Sequence, residues 1–126
     1  MKFIIAGPRD FSDKEMILTR VTELCKSESY IQEYLEKTLE IIEGGATGVD
    51  AIAKSFAQEH GLKYVEMKAD WSKYGRSAGP RRNAKMADYG DVLIAFRYKN
   101  KPSKGTESMI KLAMEKGLEI HIIPIN

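Results

Sequence analysis

Three stretches of this chain have the residue types and spacing to hold an anion. Gly44-Gly45-Ala46-Thr47-Gly48 closes an apolar run and opens a helical pattern. Backbone N–H groups converge at such a junction, which is the arrangement that cradles phosphate. The same glycines also suit a tight strand-to-helix turn. Arg81 and Arg82 follow Gly79-Pro80, and proline near the first helical position puts both arginines in a first turn. Cations there oppose the helix dipole at roughly 0.3–1 kcal/mol each. An anionic ligand would offset that cost with charge-assisted, often bidentate bonds. Arg82 is the one expected at a ligand, and Arg81 the one expected to face solvent or a local carboxylate. Lys104-Gly105-Thr106 repeats the theme: its amides and the Thr106 hydroxyl either bind an anion or, with Ser103, cap a helix.

Other residues join these by position. Gly7 and Arg9 lie where the first apolar run ends, so Arg9 either lines the same crevice or pairs with Asp10 or Asp13. Asp50, three residues after Thr47, reads as a capping partner that complements the helix dipole, or as a contact to a ligand hydroxyl. Trp71 and Tyr74 stand in a polar stretch, where aromatics stack on a base or pack a loop onto the sheet. His60, His121 and Cys25 show no metal-like spacing and are assigned to structure, so no metal site and no cofactor is proposed. Neither GxGxxG after the first strand nor GxxxxGK[ST] is present, which argues against a conventional NAD dehydrogenase and a P-loop NTPase.

The elements that must position these residues follow from the apolar pattern. Phe3–Ala6, Leu39–Ile42, Lys63–Met67, Asp91–Phe96 and Glu119–Ile125 read as strands,. Helices alternate with them, one opened by Ser12-x-x-Glu15 with capping-box spacing and one stopping near Gly61,. Residues 68–78 read as a loop, and 27–38 as a helix extension or a short extra helix. Strands that are apolar on both faces, alternating with helices, specify a parallel sheet covered on each side. The predicted fold is a single Rossmann-like three-layer α/β domain over 1–126, its mainly parallel five-stranded sheet ordered 3-2-1-4-5. In such a sheet the loops carrying Arg9, the glycines, Trp71 and Lys104 all fall on the carboxyl-end rim, where ligands bind.

The totals set limits. With 126 residues, one core suffices,. Twenty basic against 18 acidic residues give a net charge of +2, too balanced for bulk nucleic-acid binding. One cysteine excludes an internal disulfide framework,, and no apolar run approaches the ~20 residues that span a bilayer. A cytoplasmic protein without membrane contact is expected. Tyr30, Ile31, Tyr34 and Leu35 offer an apolar face that a small sheet would leave uncovered, which predicts a homo-oligomer.

GPRDF, GGATGVDAIA, ADWSKYG, AGPRRNAKM and KGTESMI occur in this order, and together they resemble the YspA/YpsA-related branch of the SLOG superfamily. That Rossmann-like group includes Smf/DprA and the "lonely guy" cytokinin-activating enzymes. The resemblance implies a nucleotide or nucleotide-derived ligand at the strand carboxyl ends, held by Gly7, Arg9, Gly44, Gly45, Ala46, Thr47, Asp50, Trp71, Tyr74, Arg82, Asn83, Gly105, Thr106 and Glu107. Sensing or sequestration is the leading expectation. The alternative is an N-glycosidase or phosphoribohydrolase acting on a nucleoside monophosphate, with Glu107 or Asp70 as its carboxylate and Asp10 behind them. Against the R-K-x-x-M block of the "lonely guy" type, Asn83 replaces lysine. Against its G-G-x-G-T-x-x-E loop, Met109 stands where glutamate would be, and Glu107, two residues earlier, is rotated about 200° around the helix from that position. Lys68 stands where the family has proline. Single-stranded DNA binding is a further alternative, less favoured, through Lys73, Arg76, Arg81, Arg82 and Lys85 with Trp71 and Tyr74 between them.

Overall fold

The computed structural model describes all 126 residues. Strands β1 (Lys2–Ala6), β2 (Glu40–Glu43), β3 (Lys63–Glu66), β4 (Val92–Tyr98) and β5 (Glu119–Ile125) form one all-parallel sheet. Its order is β3-β2-β1-β4-β5, as the sequence predicts. Helices α1 (Lys14–Cys25), α2 (Ile31–Glu36), α3 (Val49–Glu59), α4 (Trp71–Tyr74), α5 (Ala78–Tyr89) and α6 (Lys104–Lys116) connect the strands.

Side chains alternate across a strand, so each apolar run feeds two cores. Phe3 and Ile5 of β1, Ile41 of β2, and Val92, Ile94 and Phe96 of β4 join Ile17, Val21, Val49, Ala53 and Phe56 from α1 and α3. Ile4, Ala6, Ile42, Leu93 and Ala95 turn to the other face, against Met86, Ala87, Met109, Ile110 and Ala113 of α5 and α6. Each large side chain buried in this way contributes about 1.5–3 kcal/mol. The central β1 is thus clamped on both faces, which fixes the rim above its carboxyl end.

Three local expectations are corrected. Helix α1 is capped by Asp13, not Ser12: the Asp13 side chain accepts the Met16 N–H at 3.1 Å. Residues 71–77 are not a plain loop but the single turn α4 followed by a 3-10 turn, Gly75–Ser77. The apolar face of 27–38 closes on the protein's own core, because Tyr30 and Tyr34 are only 3% and 8% exposed and Leu35 alone projects. The observation that motivated a homo-oligomer is therefore accounted for within one chain. No helix is long and apolar enough to cross a membrane.

Candidate functional site

A cleft of about 910 Å³ opens above the carboxyl ends of β1, β2 and β4. Its walls carry Gly7, Arg9, Gly44, Gly45, Ala46, Thr47, Asp50, Trp71, Arg82, Asn83, Gly105 and Thr106. All twelve were nominated from sequence. Tyr74, Asp70 and Glu107 are not among the lining residues. Tyr74 instead receives the Arg81 guanidinium at 4.4 Å from its ring centre. Asp70 is the N-cap of α4 and accepts the Lys73 N–H at 3.1 Å. Glu107 turns out to the neighbouring strand, where Arg97 grips it with two bonds of 2.7 and 3.0 Å. A carboxylate bound bidentately in this way is held away from any reaction in the cleft.

The glycine loop is packed from below and above. Gly45 and Gly48 adopt positive φ of 76° and 70°. A Cβ on Gly48 would also lie 2.6 Å from the Arg9 carbonyl oxygen, so the β1 exit presses directly on this turn. A Cβ on Gly44 would collide with the Arg82 guanidinium. The loop's amides are partly engaged by the protein's own acids: Gly45 N–H donates to Glu43 Oε1 at 2.5 Å, and Ala46 N–H to Asp50 Oδ2 at 3.2 Å. Asp50 is thus a bracket for the loop. Thr47 Oγ1 donates to the Arg9 carbonyl at 3.0 Å, so it ties two rim loops together.

Arg82 sits deeper in its helix than expected. Helix α5 starts at Ala78, directly after the 3-10 turn, which makes Arg82 the fifth helical residue, beyond the turn where the dipole acts strongly. Its Nη1 donates to the Gly44 carbonyl at 2.6 Å and its Nε to Asn83 Oδ1 at 2.8 Å. Arg9 forms no ion pair with Asp10 or Asp13; those acids look elsewhere, Asp10 to Tyr98 at 2.8 Å and to Lys101 at 3.8 Å. The Tyr98 hydroxyl bond in turn holds the Asp10 carboxyl below its ordinary value. Trp71 is 57% exposed, its ring edge close over Gly79, so it is not buried as loop packing would require.

Sequence reasoning missed several lining residues. Lys68, Lys101 and the Lys104 side chain bring the cleft to five cations, with Arg9 and Arg82, against the two carboxylates Asp10 and Asp50. The signal for two of them was the basic run RYKNKPSK, already placed on the rim. Beneath the glycine loop lies a second unforeseen group. Glu43 is 1% exposed. Burial pushes its carboxyl up to about 7, with Asp50 and Glu66 adding to the push while Tyr64 and the Gly45 amide oppose it. Tyr64 bonds to both Glu43 and Glu66. Burial also raises Asp50, against the pull of the Ala46 amide and Arg82. At Glu66 burial acts upward too, but the Tyr64 hydroxyl and Lys68 outweigh it and hold the group low. The clue was a glutamate closing an apolar strand just before two glycines.

Residues 1–74, which include the β1 exit, the glycine loop and Trp71, match the family described as YAcAr, YspA, cpYpsA-related SLOG. The chain belongs to the YspA, cpYpsA-related SLOG family. That membership points to nucleotide-related binding or processing and fixes no ligand. The Gene 61 protein of Mycobacterium phage D29 is 30% identical over 125 residues, spanning 94% of this chain and 93% of that protein. Among solved structures, DNA processing protein A from Streptococcus pneumoniae superposes with a TM-score of 0.72 at 20% identity over 99% of this chain. TM1055 superposes with 0.64 at 17% identity over 95%. The chain spans 50% of the DNA processing protein A chain and 72% of TM1055. At these identities the two solved structures speak to the fold alone.

Proposed function

We propose that residues 1–126 form one domain whose cleft binds a small nucleotide or nucleotide-derived ligand, as a sensor or sequestering module. The observation that carries this reading is the cleft's charge: five cationic side chains against two carboxylates at the carboxyl ends of a parallel sheet. Three of the five, Arg9, Arg82 and Lys104, have no ion-pair partner within the protein. A phosphate supplies the missing counter-charge through charge-assisted bonds. Lys104, Gly105 and Thr106 of the α6 first turn line the same space, and nothing lies within 4 Å of where a Gly105 Cβ would be. Trp71 offers an open ring at the rim on which a base can stack, an interaction of about 1–3 kcal/mol.

Hydrolysis of a glycosidic bond needs a carboxylate at the reacting carbon. Glu107 is held by Arg97, Asp70 by the α4 N-terminus, and Asp10, which lines the cleft, by Tyr98 and Lys101, which favours binding over that reaction. The basic cluster considered for DNA is divided, with Arg82 turned inward to Gly44 and Arg81 laid on Tyr74.

The test is a thermal-shift panel of AMP, ADP-ribose, NAD and cyclic nucleotides, with the best ligand recovered and weighed by mass spectrometry. Trp71 is the single tryptophan, so its fluorescence reports the cleft directly. The reading expects a saturable shift with ligand recovered intact. Release of free base would make the protein an enzyme, and a panel without any shift would sink the nucleotide reading.

A further inference from the structure

We infer that Arg82 and Asn83 form a strut across the cleft floor, and that Arg82 serves binding as a positioning residue that holds the glycine loop and the start of α6 in register. The inference rests on the reading of this cleft as a nucleotide site. The two walls come from opposite sides of β1: residues 44–48 follow β2, and the start of α6, residues 104–108, follows β4 and the loop 99–103. Side chains of α5 bridge them directly, beside the indirect route by way of the β1 exit, where Thr47 bonds to the Arg9 carbonyl and Lys101 pairs with Asp10. Arg82 Nη1 reaches the Gly44 carbonyl at 2.6 Å, and Arg82 Nε reaches Asn83 Oδ1 at 2.8 Å. Asn83 Nδ2 then reaches the Gly105 carbonyl at 3.3 Å and Ser108 Oγ at 3.4 Å. The chain therefore runs unbroken from one wall to the other.

Its chemistry leaves little choice of arrangement. Arginine can only donate and the Gly105 carbonyl can only accept, so the Asn83 amide must present oxygen to one and nitrogen to the other. Side chains of successive helical residues do not ordinarily face each other, so the Arg82–Asn83 bond fixes the direction of the guanidinium. Asn83 is 4% exposed, where an unmet amide would be costly. Gly44 has no side chain where the guanidinium lies, and any Cβ there would displace it. Lysine lacks the planar fork that makes two bonds at once.

The experiment has a ligand-free arm and a ligand arm. Amide hydrogen exchange is measured on wild-type protein, Asn83→Ala, Asn83→Asp and Arg82→Lys, with folding checked by cooperative denaturation. In Asn83→Ala the amides of 44–48 should exchange about tenfold faster, the effect of one lost hydrogen bond, although Asn83 touches only the opposite wall. Acceleration confined to 104–108 overturns the strut. Asn83→Asp keeps the acceptor for Arg82 and loses the donor to Gly105. It should return 44–48 toward wild-type rates while 104–108 stays fast, and it also serves if the alanine variant does not fold. In the ligand arm, Arg82→Lys keeps the charge and loses the fork, so AMP affinity should fall about tenfold, with the same factor at low and high salt. A lysine variant that binds AMP like wild type, or a loss that fades with salt, marks Arg82 as a plain charge and contradicts positioning. Wild-type protein that ignores AMP and the rest of the nucleotide panel while the exchange pattern holds would retire the nucleotide reading and leave the strut standing.

Discussion

The glycine loop after β2 and the basic loop before α6 face each other across one cleft, yet they are built in opposite ways. The first looks more like a phosphate cradle in sequence, but its Gly45 and Ala46 amides donate to Glu43 and Asp50. Arg82 lies over it, and Arg9 presses on it. The second has one glycine, Gly105, with open space around it, and a lysine, Lys104, that pairs with nothing. The comparison teaches that glycines mark close backbone approach, and that the approaching group can be the protein itself. Gly44 and Gly48 make room for Arg82 and for the Arg9 carbonyl, whereas Gly105 leaves room that the fold does not fill.

The largest effect should come from the packed side. Gly48 has φ 70° and ψ −126°, a conformation nearly confined to glycine, and a Cβ would meet backbone oxygen. Gly48→Ala should cost about 3 kcal/mol in urea denaturation, while Gly105→Ala should be neutral or stabilise by up to about 1 kcal/mol. Equal costs would erase the contrast. Next is the buried acid group. Glu43 holds its proton more tightly folded than unfolded, its value rising from 4.5 to about 7. Folding therefore takes up a proton in that window, and the contribution, on the order of 1–3 kcal/mol, is full below pH 4.5 and lost as pH rises through 7. Asp50 acts with the same sign and Glu66 with the opposite one. In Glu43→Gln the slope of melting temperature over pH 4.5–7 should flatten; an unchanged slope would place the proton elsewhere.

Lys104→Ala sharpens the open side. Nucleotide affinity should drop about tenfold at low salt and less at high salt, because an exposed charge is screened, with melting temperature unchanged. The smallest effect is expected at Glu107→Gln. The Arg97–Glu107 pair is partly exposed and contributes at most about 1 kcal/mol, so both stability and AMP affinity should hold nearly constant. A clear loss of affinity would bring Glu107 back into the site.

The architecture was legible because the apolar runs end at Gly7-Pro8 and Gly44-Gly45, and strands apolar on both faces have few alternatives to a covered parallel sheet. The rim was legible for a related reason: topology alone gathers the loops after parallel strands at one edge. Partner choice was not legible. Nothing local tells Arg82 to reach the Gly44 carbonyl 38 residues away, or Glu43 to turn under its own loop and not toward solvent. Tyr30 and Tyr34 looked uncovered because the edge-to-face contact of Tyr30 with Phe3 and the bond of Tyr34 to His60 join distant segments. Those pairings are decided by packing, which periodicity does not encode.

The most direct test of the account is the backbone amide chemical-shift map of the protein titrated with AMP. The account predicts that the largest changes fall on Lys104, Gly105 and Thr106 and on the Trp71 indole, with the Gly45 and Ala46 amides little moved because Glu43 and Asp50 already hold them. Changes centred on Gly45 and Ala46 would contradict it, since the phosphate would then have displaced the protein's own carboxylates.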